Sequence, residues 1–208
     1  GPLATGRHIT VESPTSQYLS ALLLVAPLIP AETPSVPGNG TPAPDHPVAA
    51  STTERSAEAP NTTITVALLN EHPYVDMTCW WLDRQQITYQ RDGYARFRIP
   101  AGQRYRPHTT TLPGDYSSAT FWFCAAAITG HPVTVNGLAP DDVQGDRGVL
   151  DILTTLGCHV DWSTDDSQGT PLHVVTVSGT PQRGGTFDLN AMPDALPALA
   201  VLACFSPA

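Results

Sequence analysis

The chain has 208 residues, 41% of them hydrophobic, which is enough to enclose a core as one large or two small domains. Ten basic residues stand against nineteen acidic ones for a net charge of −9, and every basic residue is an arginine. That balance excludes a nucleic-acid surface, because neutralising phosphates takes clustered cations.

In chain order, the first pattern is a polar cluster, Ser13, Thr15, Ser16 and Gln17, followed at once by an apolar run over residues 18–29. The run is too short to span a bilayer, which takes about 20 residues. No basic stretch precedes it, so no export signal and no membrane partner are expected. Residues 30–60 are dominated by Pro, Ala, Thr, Ser, Gly and Glu. Such a segment buries too little apolar surface to offset its ordering entropy and reads as a disordered insertion.

A β-like segment over 63–69, a helix-like segment over 73–85 and an alternating segment over 94–99 come next. In the last of these, Arg96 and Arg98 take one face while Phe97 and Ile99 take the other, as in a sheet with one wet face. Arg104 and Arg106 add to this basic group, which reads as a solvated face. Residues 102–114 are polar, carry Pro107 and Pro113, and mark a domain crossover. Asp115, Ser117 and Ser118 then open a second apolar run. A β-like segment at 132–136, a helix-like one at 144–156 and a strand-like one at 173–178 follow in the earlier order. The opening returns a third time at Leu189-Asn190-Ala191-Met192-Pro193-Asp194, ahead of another apolar run.

Recurrence of this kind marks an α/β repeat protein, whose units bury their apolar faces against neighbours. Two units and a fragment leave Leu196, Leu199, Val201 and Leu202 partly uncovered, so self-association or complementing chain segments are expected. The four cysteines are far apart and lack a Cys-x-x-Cys pair, which reads as buried reduced thiols in a cytoplasmic protein. His131, Asp141, Asp142 and Asp146 have no metal-ligand spacing, and neither a metal nor a cofactor is called for.

The repeated openings fall at expected helix N-termini, where unpaired N–H groups and the helix dipole favour anions. Thr15, Ser16 and Gln17 would add hydroxyl and amide donors. Ser, Thr and Asp are also the usual N-caps, and the residues alone leave both readings open. Asp115 or Ser117 would cap the second opening and Asp194 the third, with Pro197 falling in the first turn.

The stretches Thr15-Ser16-Gln17-Tyr18-Leu19-Ser20-Ala21-Leu22-Leu23, Pro73-Tyr74-Val75-Asp76-Met77-Thr78, Gly102-Gln103-x-Tyr105, Gly114-Asp115-x-Ser117-Ser118-Ala119, Gln144-Gly145-Asp146 and Asn190-Ala191-Met192-Pro193-Asp194-Ala195 stand in this order. Together they resemble the 5-enolpyruvylshikimate-3-phosphate synthase family of 3-phosphoshikimate 1-carboxyvinyltransferases. The resemblance implies the enolpyruvyl transferase fold, an inside-out α/β barrel of repeated βαβαββ-like units. Residues 1–106 would be part of its first domain, and 107–208 part of its second, ending within the last repeat.

The family transfers enolpyruvyl from phosphoenolpyruvate to shikimate-3-phosphate. By resemblance, Thr15, Ser16 and Gln17 would contact shikimate-3-phosphate, with Gln17 also near phosphoenolpyruvate. Tyr74 would line the shikimate pocket, and Asp194 would be the general base for the attacking hydroxyl.

Two departures matter. Glu71 stands where the family usually offers a serine to the substrate phosphate, so it must turn away or weaken binding. The family's cationic N-terminal and C-terminal segments find no counterpart in this lysine-free chain, which is expected to be inactive alone. Two alternatives stand beside this reading: a non-catalytic structural or interaction module built on the same fold, and the enolpyruvyl transferase acting on UDP-N-acetylglucosamine.

Overall fold

The computed structural model describes residues 6–31, 60–166 and 171–207. The expected disordered insertion over 30–60 lies, except at its ends, outside the described residues.

The first unit runs β1 (His8–Ser13), α1 (Ser16–Val25), β2 (Asn61–Leu69), α2 (His72–Arg84), β3 (Gln90–Asp92) and β4 (Arg96–Pro100). Its sheet has the order β1-β2-β4-β3, with β1 and β2 parallel and the other neighbours antiparallel. The parallel pair flanks a crossover that contains α1, as a βαβ connection requires. The apolar run continues past α1 as a 3-10 turn, Ala26–Leu28, because Pro27 has no N–H to extend the α-helical ladder.

The second unit runs α3 (Tyr116–Thr129), β5 (Val133–Asn136), α4 (Val149–Leu156), β6 (His159–Asp165) and β7 (Leu172–Ser178). Its sheet order, β5-β7-β6, repeats β2-β4-β3 with the same antiparallel senses. The recurrence seen in the sequence is therefore a recurrence of topology. A 3-10 turn, Pro193–Ala195, then leads into α5 (Leu196–Ala203).

Each unit has its own core. Leu19 and Leu23 of α1, Val75 and Leu82 of α2, Ile64 of β2, and Phe97 and Ile99 of β4 pack together. Each such side chain, fully buried, contributes about 1.5–3 kcal/mol. The second core joins Phe123 of α3, Leu153 of α4 and Val175 and Val177 of β7 to Ala198 and Leu202 of α5. On β4 the expected alternation holds, with Phe97 and Ile99 buried and Arg96 and Arg98 exposed.

Two expectations need correction. Cys79, Cys124 and Cys158 are buried free thiols, but Cys204 is exposed, since it follows α5 on its outward side. Asp194 does not cap α5: it sits inside the preceding 3-10 turn, and the N-cap position falls on Ala195 without a side-chain hydrogen bond. Among the described residues no helix is long and apolar enough to cross a membrane.

Candidate functional site

The turn from β1 into α1 is organised by Ser13, which is completely buried. Its Oγ donates to the Thr15 carbonyl at 2.6 Å and accepts from the Leu19 amide at 3.2 Å. Thr15 is then the N-cap, extended in backbone, with its hydroxyl accepting from the Gln17 amide. This turn aims the free donors of the helix start, Ser16 N–H, Ser16 Oγ–H and Thr15 Oγ1–H, at one point.

A carboxylate occupies that point. Oε2 of Glu71 accepts from Ser16 N at 3.0 Å, Ser16 Oγ at 2.9 Å and Thr15 Oγ1 at 3.2 Å. Charge-assisted bonds at a helix N-terminus are among the stronger polar contacts a protein makes. Of the two outcomes expected for Glu71, the structure excludes turning away. Its backbone is held in the left-handed region at φ 57°, where a non-glycine residue is unusual.

The third opening is tied to the same place. The Glu71 amide donates to Asn190 Oδ1 at 3.3 Å, Asn190 Nδ2 donates to Asn70 Oδ1 at 3.1 Å, and Asn70 Nδ2 donates to the Pro14 carbonyl at 3.1 Å. The Gln144-Gly145-Asp146 stretch packs on the Asn190-Ala191-Met192 stretch so closely that a Cβ on Gly145 would lie 2.0 Å from the Ala191 carbonyl oxygen. Glycine is the residue that this approach allows.

Beside this cluster Tyr74 donates its hydroxyl to Oδ2 of Asp146. Asp146 is 1% exposed, and its Oδ1 has no hydrogen-bond partner among the described residues. Burial raises the Asp146 carboxyl above its ordinary value; the Tyr74 bond works downward, while the charges of Asp194 and Asp115 push further up. Burial also raises the Tyr74 phenol, helped by its bond to Asp146 and by the charges of Asp146, Asp194 and Glu71. The neighbourhood of Tyr74 is thus rich in carboxylates. Asp115, at the head of α3, is saturated locally by the hydroxyls and amides of Ser117 and Ser118.

Of the residues singled out in the sequence, Thr15 and Ser16 meet at Glu71, and Tyr74 lies within electrostatic reach of Asp194. Gln17 is exposed, and its side chain makes no hydrogen bond among the described residues. Sequence reasoning missed Asp146 and Asn190 as site residues. Both lie in the quoted motifs, and the signal for Asp146 was a carboxylate beside Gly145 at the entrance to an apolar helix. Among the described residues no group of three or more His, Cys, Asp or Glu could hold a metal ion. Chemically, the arrangement offers a three-donor seat for an anionic oxygen, a phenolic hydrogen-bond donor and carboxylates able to accept a proton.

The chain is similar to known proteins over nearly its whole length. Residues 52–207 match the family described as EPSP synthase (3-phosphoshikimate 1-carboxyvinyltransferase). Two curated relatives carry the name 3-phosphoshikimate 1-carboxyvinyltransferase. That of Ruminiclostridium cellulolyticum is 36% identical over 98% of this chain and 39% of its own length. That of Acetivibrio thermocellus is 39% identical over 99% of this chain and 40% of its own length. The chain spans about two fifths of the length of these relatives. A solved EPSP synthase from Acinetobacter baumannii superposes with a TM-score of 0.62 at 19% identity, covering 96% of this chain and 39% of the other, a likeness of fold. With the profile match extending over most of its residues, and with the repeated topology and converging openings in place, the chain belongs to the EPSP synthase family.

Proposed function

We propose that this chain carries part of the substrate cleft of a 3-phosphoshikimate 1-carboxyvinyltransferase, with shikimate-3-phosphate and phosphoenolpyruvate as substrates. Residues 1–106 belong to its first domain and 107–208 to its second, a division supported by the two separate cores. The 5-hydroxyl of shikimate-3-phosphate adds to C2 of phosphoenolpyruvate, and phosphate leaves from the tetrahedral adduct. Thr15, Ser16 and Gln17 hold shikimate-3-phosphate, with Gln17 also near phosphoenolpyruvate. Tyr74 lines the shikimate pocket, and Asp194 takes the proton of the attacking hydroxyl. The reaction would run in the cytoplasm without a cofactor.

The observation that carries this reading is the convergence of Ser16 N–H, Ser16 Oγ–H and Thr15 Oγ1–H on a single anionic oxygen. That oxygen belongs to Glu71, so a phosphate must displace it. Replacing the glutamate by serine frees the donors and removes a repelling charge. Titration calorimetry with shikimate-3-phosphate should then give binding to Glu71→Ser at least about tenfold tighter than to the wild type, the worth of one charge-assisted bond. Equal or weaker binding by the variant would refute this role for the α1 opening.

Turnover is a separate matter. Two phosphorylated anions brought together need preplaced cations, and the groups whose charges act on Tyr74 are Asp146, Asp194 and Glu71 instead. The isolated chain should release no phosphate from the two substrates above the uncatalysed rate, and release at an ordinary enzymatic rate would overturn that. Glu71 filling the anion seat is also the observation that favours a second reading, a non-catalytic module. Failure of both wild type and Glu71→Ser to bind shikimate-3-phosphate would establish that alternative.

A further inference from the structure

The two units meet at a small polar joint. Each has its own core, and residues 103–115 between them form neither helix nor strand. A cavity of about 450 Å³ opens between the outer face of α2 and the loop that leads into α4, so the units are not close-packed there. Three hydrogen bonds cross from the first unit to the second at one corner. The Glu71 amide donates to Asn190 Oδ1, Asn190 Nδ2 donates to Asn70 Oδ1, and the Tyr74 hydroxyl donates to Asp146 Oδ2. A joint of this kind, lacking a large apolar interface, leaves two domains able to move relative to each other.

Asp146 is the weak point of the joint. It is 1% exposed, and its Oδ1 has no hydrogen-bond partner among the described residues. The charged groups that face it are Asp194, from the 3-10 turn before α5, and Asp115, at the head of α3, while Glu71 bears on Tyr74 beside it. The neighbouring Arg147 guanidinium is turned to the Pro140 carbonyl, at 2.8 Å. A negative charge on Asp146 is therefore costly while the joint is closed, and parting the units returns the carboxyl to water.

We propose that the Tyr74–Asp146 contact is a pH-sensitive latch between the two units, closed while Asp146 holds its proton and loosened when it ionises. The latch needs no ligand, so it stands or falls independently of the α1 opening as a substrate seat. In the closed joint, burial and the facing carboxylates raise the Asp146 carboxyl above the ordinary value of 3.8 that it regains on exposure. Closure thus binds the proton more tightly; it is fully favoured below 3.8 and loses that support as pH rises through the raised value. The Tyr74 phenol is raised as well, so it remains the donor throughout.

Hydrogen exchange on the 208-residue chain tests this. The Glu71 amide, bonded to Asn190 across the joint, reports its opening, and the Ile64 and Val175 amides, in the two cores, report global unfolding. Because intrinsic exchange varies with pH, wild type is compared with Asp146→Asn, which keeps an acceptor for Tyr74 and cannot ionise, at each pH. The ratio of Glu71 rates, wild type over variant, should climb from about one at pH 4 to at least about three at pH 8, as linkage requires. The Glu71 amide should also exchange well ahead of Ile64 and Val175. Tyr74→Phe removes the donor and should speed Glu71 exchange about tenfold at both pH values, which keeps the test valid if Asp146→Asn does not fold. A ratio near one at every pH, a Glu71 amide that exchanges only as slowly as the core amides, or a Tyr74→Phe chain that exchanges like wild type would overturn the proposal.

Discussion

Asp146 is a carboxyl group that the fold has almost sealed from water while leaving one of its oxygens without a partner. Its folded-state pKa is raised, chiefly by burial, so the native chain retains a proton that the unfolded chain has already lost. The sign follows from linkage: as pH rises from the ordinary value of 3.8 through the raised one, the unfolded state is favoured progressively. Asp146→Asn keeps an acceptor for the Tyr74 hydroxyl and removes the charge. The variant should be more stable than wild type at pH 7, by about 1 kcal/mol, and the difference should vanish near pH 3.8. Urea titrations across that range check it, and a variant less stable at pH 7 would contradict it. Asp146 was hard to read in the sequence for a physical reason. A lone carboxylate near a helix start is most often a solvated cap, and the partner it meets here, Tyr74, is 72 residues away in sequence. Thr15 and Ser16 were legible as the start of a helix, since hydroxyls ahead of an apolar run are the usual caps. That Glu71 is their partner was not, since it lies 55 residues away from Ser16.

At the level of elements, the helices and central strands were readable because their signals are local. The 3.6-residue pattern marked α2, alternation marked β4, and Asp115 ahead of Ser117 and Ser118 marked the head of α3. The strands missed were β1, β3 and β6: β3 is three exposed polar residues, and β1 and β6 carry only short alternations, Ile9 with Val11 and Val160 with Trp162. They are strands because a neighbour supplies the ladder, β4 for β3 and β7 for β6, and that information is tertiary. The cap of α3 gives the clearest test at this scale. Burial works upward on Asp115, but bonds from the hydroxyls and amides of Ser118 and Ser117 outweigh it and hold the carboxyl below its ordinary value. Its contribution is therefore present above the unfolded value of 3.8 and lost as pH falls through the lower folded one. Asp115→Ala should cost about 1 kcal/mol at pH 7, a loss that shrinks in acid, while Asp115→Asn recovers most of it. Thermal melts at neutral and acid pH would expose an error here as an alanine variant equal to wild type at pH 7.

For the whole molecule, the question is which apolar surface two units leave over. Phe121 and Trp122 on α3 are 54% and 63% exposed, and Leu196, Val201 and Phe205 on or beside α5 are similarly open. The expectation from the sequence was too broad at α5, where Leu202 is buried against α3 and α4 and the outward residues alone remain uncovered. Helix α3 is apolar on nearly all sides, the pattern of a helix enclosed in a core. Large apolar side chains left exposed on two helices in contact favour association, because monomers seldom keep large apolar patches in water. The isolated chain should accordingly associate in solution, and a charge placed in the patch should oppose it. Trp122→Glu adds a carboxylate at a position that is mostly exposed, so folding should be preserved while association weakens. Sedimentation velocity over a dilution series should show the wild type shifting to larger species with concentration and the variant remaining smaller. A wild type that stays monomeric at every concentration would mean that the exposed faces of α3 and α5 are tolerated by solvent, and that the two units do not need a neighbour to cover them.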